Sequence, residues 1–138
     1  MRYLLDTCVL SETARPRPDA RVLLWLESVD ERDLYIPAVV FGELRKGVEL
    51  RDDGAKKTAL SKWLDDCFRM FSEKIVPFDY AAANQWGKML AKLQKQGRTP
   101  SVIDSQIAAT ALRHGMMLVT RNVSDMANFG VEIVNPFQ

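Results

Sequence analysis

The sequence predicts an α/β fold: a three-layer α/β/α sandwich around a central, mainly parallel sheet of about five strands. Short apolar runs alternate with helical patterns along the chain, and no hairpin signal joins two of the runs. The 138 residues are 47% hydrophobic and 27% charged, which is typical of a globular protein. This length predicts one domain, residues 1–138.

Five apolar segments predict the strands. Tyr3, Leu4 and Leu5 form an unbroken apolar run, as expected for a central strand that is covered on both faces. The last segment is expected at an edge of the sheet. The predicted strands are residues 3–5, 33–37, 74–79, 117–120 and 131–134.

Apolar residues recur at helical spacing between these strands. Pro37 fits the first turn of one helix, Thr99-Pro100 the start of another, and Gly115 the end of that helix. The predicted helices cover residues 19–30, 38–50, 55–71, the stretch from Ala82 to Leu93, and 99–114.

Composition excludes several classes of protein. Cys8 and Cys67 fit neither a metal-binding spacing nor a disulfide framework. The first apolar run is broken by Asp6, and no run approaches the ~20 residues of a membrane span, so we expect a cytoplasmic protein without a secretory signal. The net charge of +1 argues neither for nor against nucleic acid.

Asp104 lies on the apolar stripe of its helix, inside the arc formed by Ile103, Ile107, Ala108 and Ala111. Gln106, Thr110 and Arg113 are expected on the far side. A carboxylate that faces the core is costly unless it is paired or bound to a metal, which favours a functional role. The alternative is an aspartate that compensates the dipole at the helix N-terminus.

Three further carboxylates allow two interpretations each. Asp6 follows the first strand, where open α/β sheets bind ligands, but it would also serve as a helix N-cap. Glu43 lies at the edge of an apolar stripe, where it is either functional or a boundary residue. Asp125 follows a later strand and is either a site residue or a turn or cap residue.

Together, these carboxylates predict a metal site. Strand carboxyl ends gather at one edge of a parallel sheet, and carboxylates that converge there repel one another unless a cation lies between them. Oxygen ligands favour Mg²⁺ or Mn²⁺ over zinc, and phosphodiester hydrolysis is chemistry that suits such a site. The single histidine, His114, lies at a helix C-terminus and supports no Ser-His-Asp arrangement.

Three motifs resemble those of the PIN-domain ribonucleases, in particular toxins of the VapC and FitB type from type II toxin–antitoxin pairs. The motifs are LLDTCVLSE, FGELRKGVE and DSQIAATALRHGMMLVTRN, in the family's order over nearly the whole chain. The resemblance implies cleavage of RNA, often structured RNA such as tRNA, with Mg²⁺ or Mn²⁺. It also implies a homodimer and a cognate antitoxin, through which such complexes bind operator DNA.

The resemblance also assigns residues. Asp6, Glu43 and Asp104 fall on the family's core acidic positions, and Thr120 on its hydroxyl position. Two positions depart from the family pattern. Cys8 stands where the family has Asn, and Asn122 stands where it has a fourth acid. We expect Asp125 to replace that acid and Asn122 to help orient the substrate.

Basic residues suggest where RNA phosphates bind. Arg45 and Lys46 are close to Glu43 in sequence, which makes them candidates for phosphate contacts. The lysines at positions 88, 92 and 95 share one helix face, which is either an RNA-binding surface or an ordinary solvated face. The aromatic residues Trp25, Trp63, Phe68 and Phe71 exceed what one sheet face needs, so we expect part of this surface to contact a second copy or the antitoxin.

Other classes of protein share parts of this pattern. A phosphatase of the haloacid-dehalogenase type needs an acid two residues after its nucleophile, where this chain has Cys8. A receiver domain needs a lysine after a late strand, and LVTRN has none. A non-catalytic PIN-like binding module remains the other alternative, because of Cys8 and Asn122.

Overall fold

The computed structural model describes residues 1–138 and contains five strands and seven α-helices. The strands are β1 (Tyr3–Leu5), β2 (Leu34–Pro37), β3 (Ile75–Val76), β4 (Met117–Val119) and β5 (Ile133–Val134). The helices are α1 (Thr7–Glu12), α2 (Ala20–Ser28), α3 (Ala38–Glu49), α4 (Ala55–Met70), α5 (Tyr80–Lys95), α6 (Val102–His114) and α7 (Val123–Ala127). None of these helices combines the length and apolar character that crossing a bilayer requires.

The strands form one sheet in the order β3-β2-β1-β4-β5, and every neighbouring pair is parallel. The predicted fold class is therefore confirmed, with β1 at the centre and β5 at an edge. Leu4 and Leu5 point to opposite faces of the sheet, yet they are only 0% and 2% exposed. Both faces of the central strand are thus covered.

The predicted helices are present: α3 and α4 begin at the predicted residues, and the starts of α2, α5 and α6 are shifted. α6 begins at Val102 rather than Thr99, because the hydroxyl of Ser101 accepts a hydrogen bond from the Asp104 backbone N–H and caps the helix. Pro37 is the last residue of β2 and the N-cap of α3. Gly115 ends α6 with φ of 63°, the left-handed conformation expected of a glycine there.

Two short helices were not predicted. α1 starts directly after β1 because Asp6 caps it, and α7 follows β4 after a turn at residues 120–122. They contain six and five residues, so neither has the second turn that makes helical periodicity recognisable.

The prediction that Thr110 lies on the solvent side of α6 was wrong. Its side chain is 1% exposed, and its hydroxyl donates to the backbone carbonyl of Gln106. Helices α5, α3 and α7 pack around α6, so this helix is buried on more than the single stripe. Arg113 is exposed, as predicted.

Candidate active site

Asp6 and Thr120 lie side by side at the carboxyl edge of the sheet. Strands β1 and β4 are paired with Leu5 opposite Val119, so the residue after each strand is brought next to the other. The Thr120 hydroxyl donates to Asp6 Oδ2 over 2.7 Å, and both side chains are buried. The ends of two neighbouring strands thereby fix one oxygen of this carboxylate.

The other oxygen of Asp6 caps α1. The backbone N–H of Thr7 donates to Asp6 Oδ1 over 2.7 Å. Asp6 is therefore a helix N-cap, and it also lies at the strand end where ligand binding is predicted. Burial raises the pKa of Asp6 above its ordinary value of 3.8, although hydrogen bonds from Thr120 and Thr7 oppose the rise.

Asp104 lies half-buried in the first turn of α6. Its pKa is raised, first by loss of solvation and then by the negative charges of Asp6, Glu43 and Asp125. The side-chain amide of Asn122 donates to Asp104 Oδ2 over 3.4 Å. Asn122, which is neutral, therefore contacts Asp104, whereas the family pattern has a fourth acid at this position.

Glu43 projects from α3 and is exposed to solvent. Its Oε1 accepts a short hydrogen bond from the hydroxyl of Thr7. Thr7 thus donates to two carboxylates, with its backbone N–H to Asp6 and with its side chain to Glu43. This residue ties the N-terminus of α1 to α3.

The three carboxylates line one open cavity of about 500 Å³, which we call the acidic cavity. None of Asp6, Glu43 and Asp104 forms a salt bridge. The structure therefore brings together the predicted core acids and leaves their charge unneutralised. The cavity is lined by Asp6, Thr7, Cys8, Glu43, Asp104, Arg121 and Asn122.

The donors of this cavity suit a hard divalent cation. Carboxylate and amide oxygens are the ligands that Mg²⁺ and Mn²⁺ prefer. However, no group of three or more acidic, histidine or cysteine side chains is arranged to hold a metal ion by itself. A cation would need water to complete its coordination, which is the usual state of Mg²⁺ in proteins.

Cys8 lies in the wall of the acidic cavity. Its thiol is 3.8 Å from Asp6 Oδ2 and accepts a hydrogen bond from the backbone N–H of Arg121 over 3.5 Å. Burial and the charge of Asp6 raise the pKa of this thiol above 9.0. Cys8 is therefore a neutral, weak donor to Asp6 at neutral pH.

Three predicted site residues do not line the acidic cavity: Thr120, which is buried and contacts Asp6, and also Asp125 and Arg45. Asp125 lines an adjoining cavity of about 610 Å³, whose lining includes Asp104 but not Asp6. The guanidinium of Arg45 contacts Asp65 Oδ1 at 2.5 Å and Ser61 Oγ at 3.0 Å on α4. Arg45 is thus engaged between two helices and does not reach the acidic cavity.

Sequence reasoning missed Thr7 and Arg121. Both follow a residue that had been singled out, Asp6 and Thr120 respectively, at the point where a strand ends. Residues directly after a strand's carboxyl end lie at the ligand-binding edge of a parallel sheet, and this signal was applied only to the carboxylates.

Comparison with known families agrees with this geometry, because residues 3–129 match the profile described as PIN domain. The chain belongs to the PIN-domain family. The resemblance seen in the three motifs is thereby confirmed. The PIN-domain assignment covers every residue of the acidic cavity.

Named relatives align with this PIN-domain chain over almost their whole length. It is 36% identical over 135 residues to the protein named Toxin FitB of Neisseria gonorrhoeae, covering 97% of each chain. It is 32% identical over 136 residues to the VapC ribonuclease Y4jK of Sinorhizobium fredii, covering 98% of this chain and 97% of the relative.

A solved structure has the same fold. The chain superposes on a chain of FitAB bound to an IR36 DNA fragment with a TM-score of 0.91 and 34% identity. The superposition covers 99% of this PIN-domain chain and 96% of the other chain.

Proposed function

We propose that this chain is a metal-dependent endoribonuclease that hydrolyses RNA phosphodiester bonds and acts as the toxin of a toxin–antitoxin pair. The acidic cavity carries the proposal, because Asp6, Glu43 and Asp104 meet there and none of them forms a salt bridge. The relatives named Toxin FitB and VapC ribonuclease support it.

In this proposal Asp6, Glu43 and Asp104 are the ligands of Mg²⁺ or Mn²⁺. Such an ion, when bound, supplies a water of lowered pKa and neutralises charge on the phosphate. The chain's own contribution is to hold the carboxylates in place. Thr120 and the backbone N–H of Thr7 fix the two oxygens of Asp6.

The substrate-orienting roles fall to residues that contact these acids. Thr120 accepts a hydrogen bond from the Asn122 backbone N–H over 2.9 Å, so the turn after β4 is fixed relative to Asp6. The side chain of Asn122 then faces Asp104. We assign Arg45 to the packing of α3 against α4, because its guanidinium is already bound by Asp65 and Ser61.

We further propose a cognate antitoxin, through which the complex binds operator DNA, and a homodimer of the toxin. The FitAB structure bound to DNA supports the first partner. Of the four aromatic residues that the sequence singled out, Phe71 is buried, Trp25 and Trp63 are half-buried, and only Phe68 is exposed. Phe68 and Met70, 54% and 66% exposed on α4, offer apolar surface for such a partner.

A PIN-like binding module without catalysis is the second candidate. Asn122 favours it, because this neutral residue contacts Asp104 where the family pattern has an acid. One carboxylate fewer weakens the hold on a hard cation. Cleavage assays separate the two candidates, since a binding module retains RNA without cutting it.

Cleavage of total tRNA and of a long unstructured RNA, with Mg²⁺ or Mn²⁺ and then with EDTA, tests the proposal. We expect cleavage that requires the divalent ion. Asp104→Asn should lower the rate by roughly a hundredfold or more, or ~2.7 kcal/mol in the barrier. Asp52→Asn, a change at an exposed aspartate away from the acidic cavity, is the matched control.

Two results would contradict the proposal. Cleavage that persists in EDTA would exclude metal dependence. RNA that is bound but left intact with either ion would favour the binding module.

A further inference from the structure

A second groove opens beside the acidic cavity. Its volume is about 630 Å³, and it shares the walls formed by Cys8, Glu43 and Arg121. Its cationic side chains come from the segment after α1, the segment after α3, the start of α4 and the turn after β4. We call it the basic groove after these residues, Arg15, Arg51, Lys56 and Arg121.

The charge of this groove is available to a ligand. Arg51 and Lys56 are exposed and take part in no salt bridge. Arg15 and Arg121 share one carboxylate, that of Glu12, at 3.4 and 3.5 Å. Two of the four cations therefore have no anionic partner, and the other two have one between them.

Glu12 is built into the floor of the groove. Its side chain is only 6% exposed, and its Oε2 accepts a hydrogen bond from the Asp19 backbone N–H over 2.9 Å. Because this carboxylate is buried and hydrogen-bonded, it can orient Arg15 and Arg121 without exposing its own charge to solvent. Apart from Glu43, in the wall shared with the acidic cavity, the exposed charges that a ligand meets in this groove are therefore positive.

Arg121 stands where the basic groove joins the acidic cavity. Its guanidinium lies 3.9 Å above the centre of the Phe137 ring and 3.5 Å from Glu12 Oε1. These contacts restrict its orientation, while 54% of the side chain stays exposed. Arg121 is also the only cationic residue that lines the acidic cavity.

One part of the wall of the basic groove is apolar. Pro16, Leu60 and the half-buried Trp63 line it together with the cations. Grooves that combine cations with an aromatic face are the usual binding surface for unpaired nucleic acid, because phosphates contact the cations while bases stack. Stacking on Trp63 requires a base that is not paired, so the groove favours an unpaired strand over a duplex.

We propose that the basic groove binds the unpaired RNA strand next to the cleavage site, with Arg121 contacting the phosphate that enters the acidic cavity. The inference rests on the proposed ribonuclease function and adds the path of the substrate. The strand would run from Lys56 and Arg51 past Arg121 to Asp6.

The cavity that adjoins the acidic cavity at Asp104 is less suited to bind an RNA backbone. This cavity contains Asp125, and its one cation, Arg98, already donates to Asn128. Lys88 and Lys92 line a further cavity beyond it. An RNA strand on that side would pass Asp125 before reaching the site.

Paired double variants test the path. Arg51→Gln/Lys56→Gln removes two cations from the basic groove, and Lys88→Gln/Lys92→Gln removes two exposed cations from the other approach. Arg113→Gln, at the opposite end of α6 from Asp104, is the single-charge control. Binding of a fluorescein-labelled unstructured RNA of about 20 nucleotides is measured by anisotropy in EDTA across a salt series, since single-strand sites cover ~4–16 nucleotides.

We expect only the basic-groove variant to lose affinity, by about tenfold at moderate salt. The slope of log K against log salt should become shallower by about 1.4, because each lost phosphate contact on a single strand contributes ~0.7. In cleavage assays the same variant should raise KM for the long RNA and leave kcat within about twofold, since uniform binding is lost.

The outcomes separate this inference from the function on which it rests. Wild-type cleavage with unchanged binding by the Arg51/Lys56 variant, or a loss confined to the Lys88/Lys92 variant, would overturn the path and leave the ribonuclease in place. Binding without cleavage, weakened by the basic-groove variant, would overturn the ribonuclease and keep the groove. Neither binding nor cleavage of RNA by the wild type would overturn both.

Discussion

The hydroxyl of Thr120 donates to Asp6 Oδ2 over 2.7 Å, joining residues that are 114 positions apart in the chain. The same oxygen atom of Thr120 accepts the backbone N–H of Asn122. One buried hydroxyl therefore fixes a carboxylate of the acidic cavity and the turn that presents Asn122 and Arg121. This dual use makes Thr120 a sensitive position for both stability and activity.

Thr120→Val keeps the shape of the side chain and removes both hydrogen bonds. We expect a loss of about 1–3 kcal/mol in the free energy of unfolding, because Asp6 Oδ2 is left buried without its main partner. RNA cleavage should fall as well. Urea unfolding and cleavage rates measure the two effects, and Thr120→Ser, which retains the hydroxyl, should stay close to the wild type. A stable and fully active valine variant would show that this hydrogen bond is dispensable.

Asp104→Asn should leave the metal-free protein as stable as the wild type or more stable. Its carboxylate is partly desolvated and is repelled by Asp6 and Glu43, so neutralising it removes an unfavourable charge. We expect the thermal midpoint in EDTA to rise by roughly 1–3 °C, a change that corresponds to less than ~1 kcal/mol in a chain of this size. A clear drop in the midpoint would instead identify Asp104 as a residue needed for the fold.

The stability difference between these two proteins should depend on pH. Because the folded-state pKa of Asp104 is raised, the folded protein binds more protons than the unfolded chain above the ordinary pKa of 3.8. The wild type therefore matches the asparagine variant below that value and loses stability relative to it as the pH rises through the folded pKa. Unfolding in EDTA from about pH 3 to pH 7 measures this. A constant difference over that range would contradict the raised pKa.

Asn122 and Asp125 should differ in their effect on the metal. Asn122→Asp adds a carboxylate inside the acidic cavity, so we expect cleavage to reach half its maximum at a lower Mg²⁺ concentration. Asp125 approaches Asp104 only from the adjoining cavity, so Asp125→Ala should cost less activity than Asp104→Asn and should be partly restored by high Mg²⁺. A Mg²⁺ titration of all three variants measures this. Equal losses for Asp125→Ala and Asp104→Asn would place Asp125 among the ligands.

The exposed apolar residues of α4 should matter for assembly. Phe68→Asp and Met70→Asp place charge on surface that is more than half exposed in the isolated chain. We expect each change to weaken self-association or antitoxin binding, as measured by light scattering with and without the antitoxin, and to leave the fold intact. Tyr80→Ser, at an 84% exposed aromatic residue on α5, is the control. A wild-type monomer that does not bind the antitoxin would rule out this role.

Much of the site could be predicted from sequence because its chemistry is local. Asp6 comes directly after an apolar run, and a parallel sheet brings such positions to one edge. Thr120 was assigned by the resemblance to the family. Asp104 was recognised because a carboxylate on an apolar stripe is costly. By contrast, Arg45 follows Glu43 by two residues on a helix, so the two side chains point in different directions, and Arg45 meets Asp65 instead.

The sequence by itself determined the alternation of strands and helices, a mainly parallel sheet, the PIN-domain motifs and the three acids, because each depends on residue type and short-range spacing. Only the tertiary structure decided which charges meet. In the sequence Glu12 is only one residue of a motif, whereas in the structure it is buried and contacts both Arg15 and Arg121. Thr110 lies in the core because three helices pack around α6. Such contacts depend on strand order and helix packing between distant parts of the chain, which local periodicity does not encode.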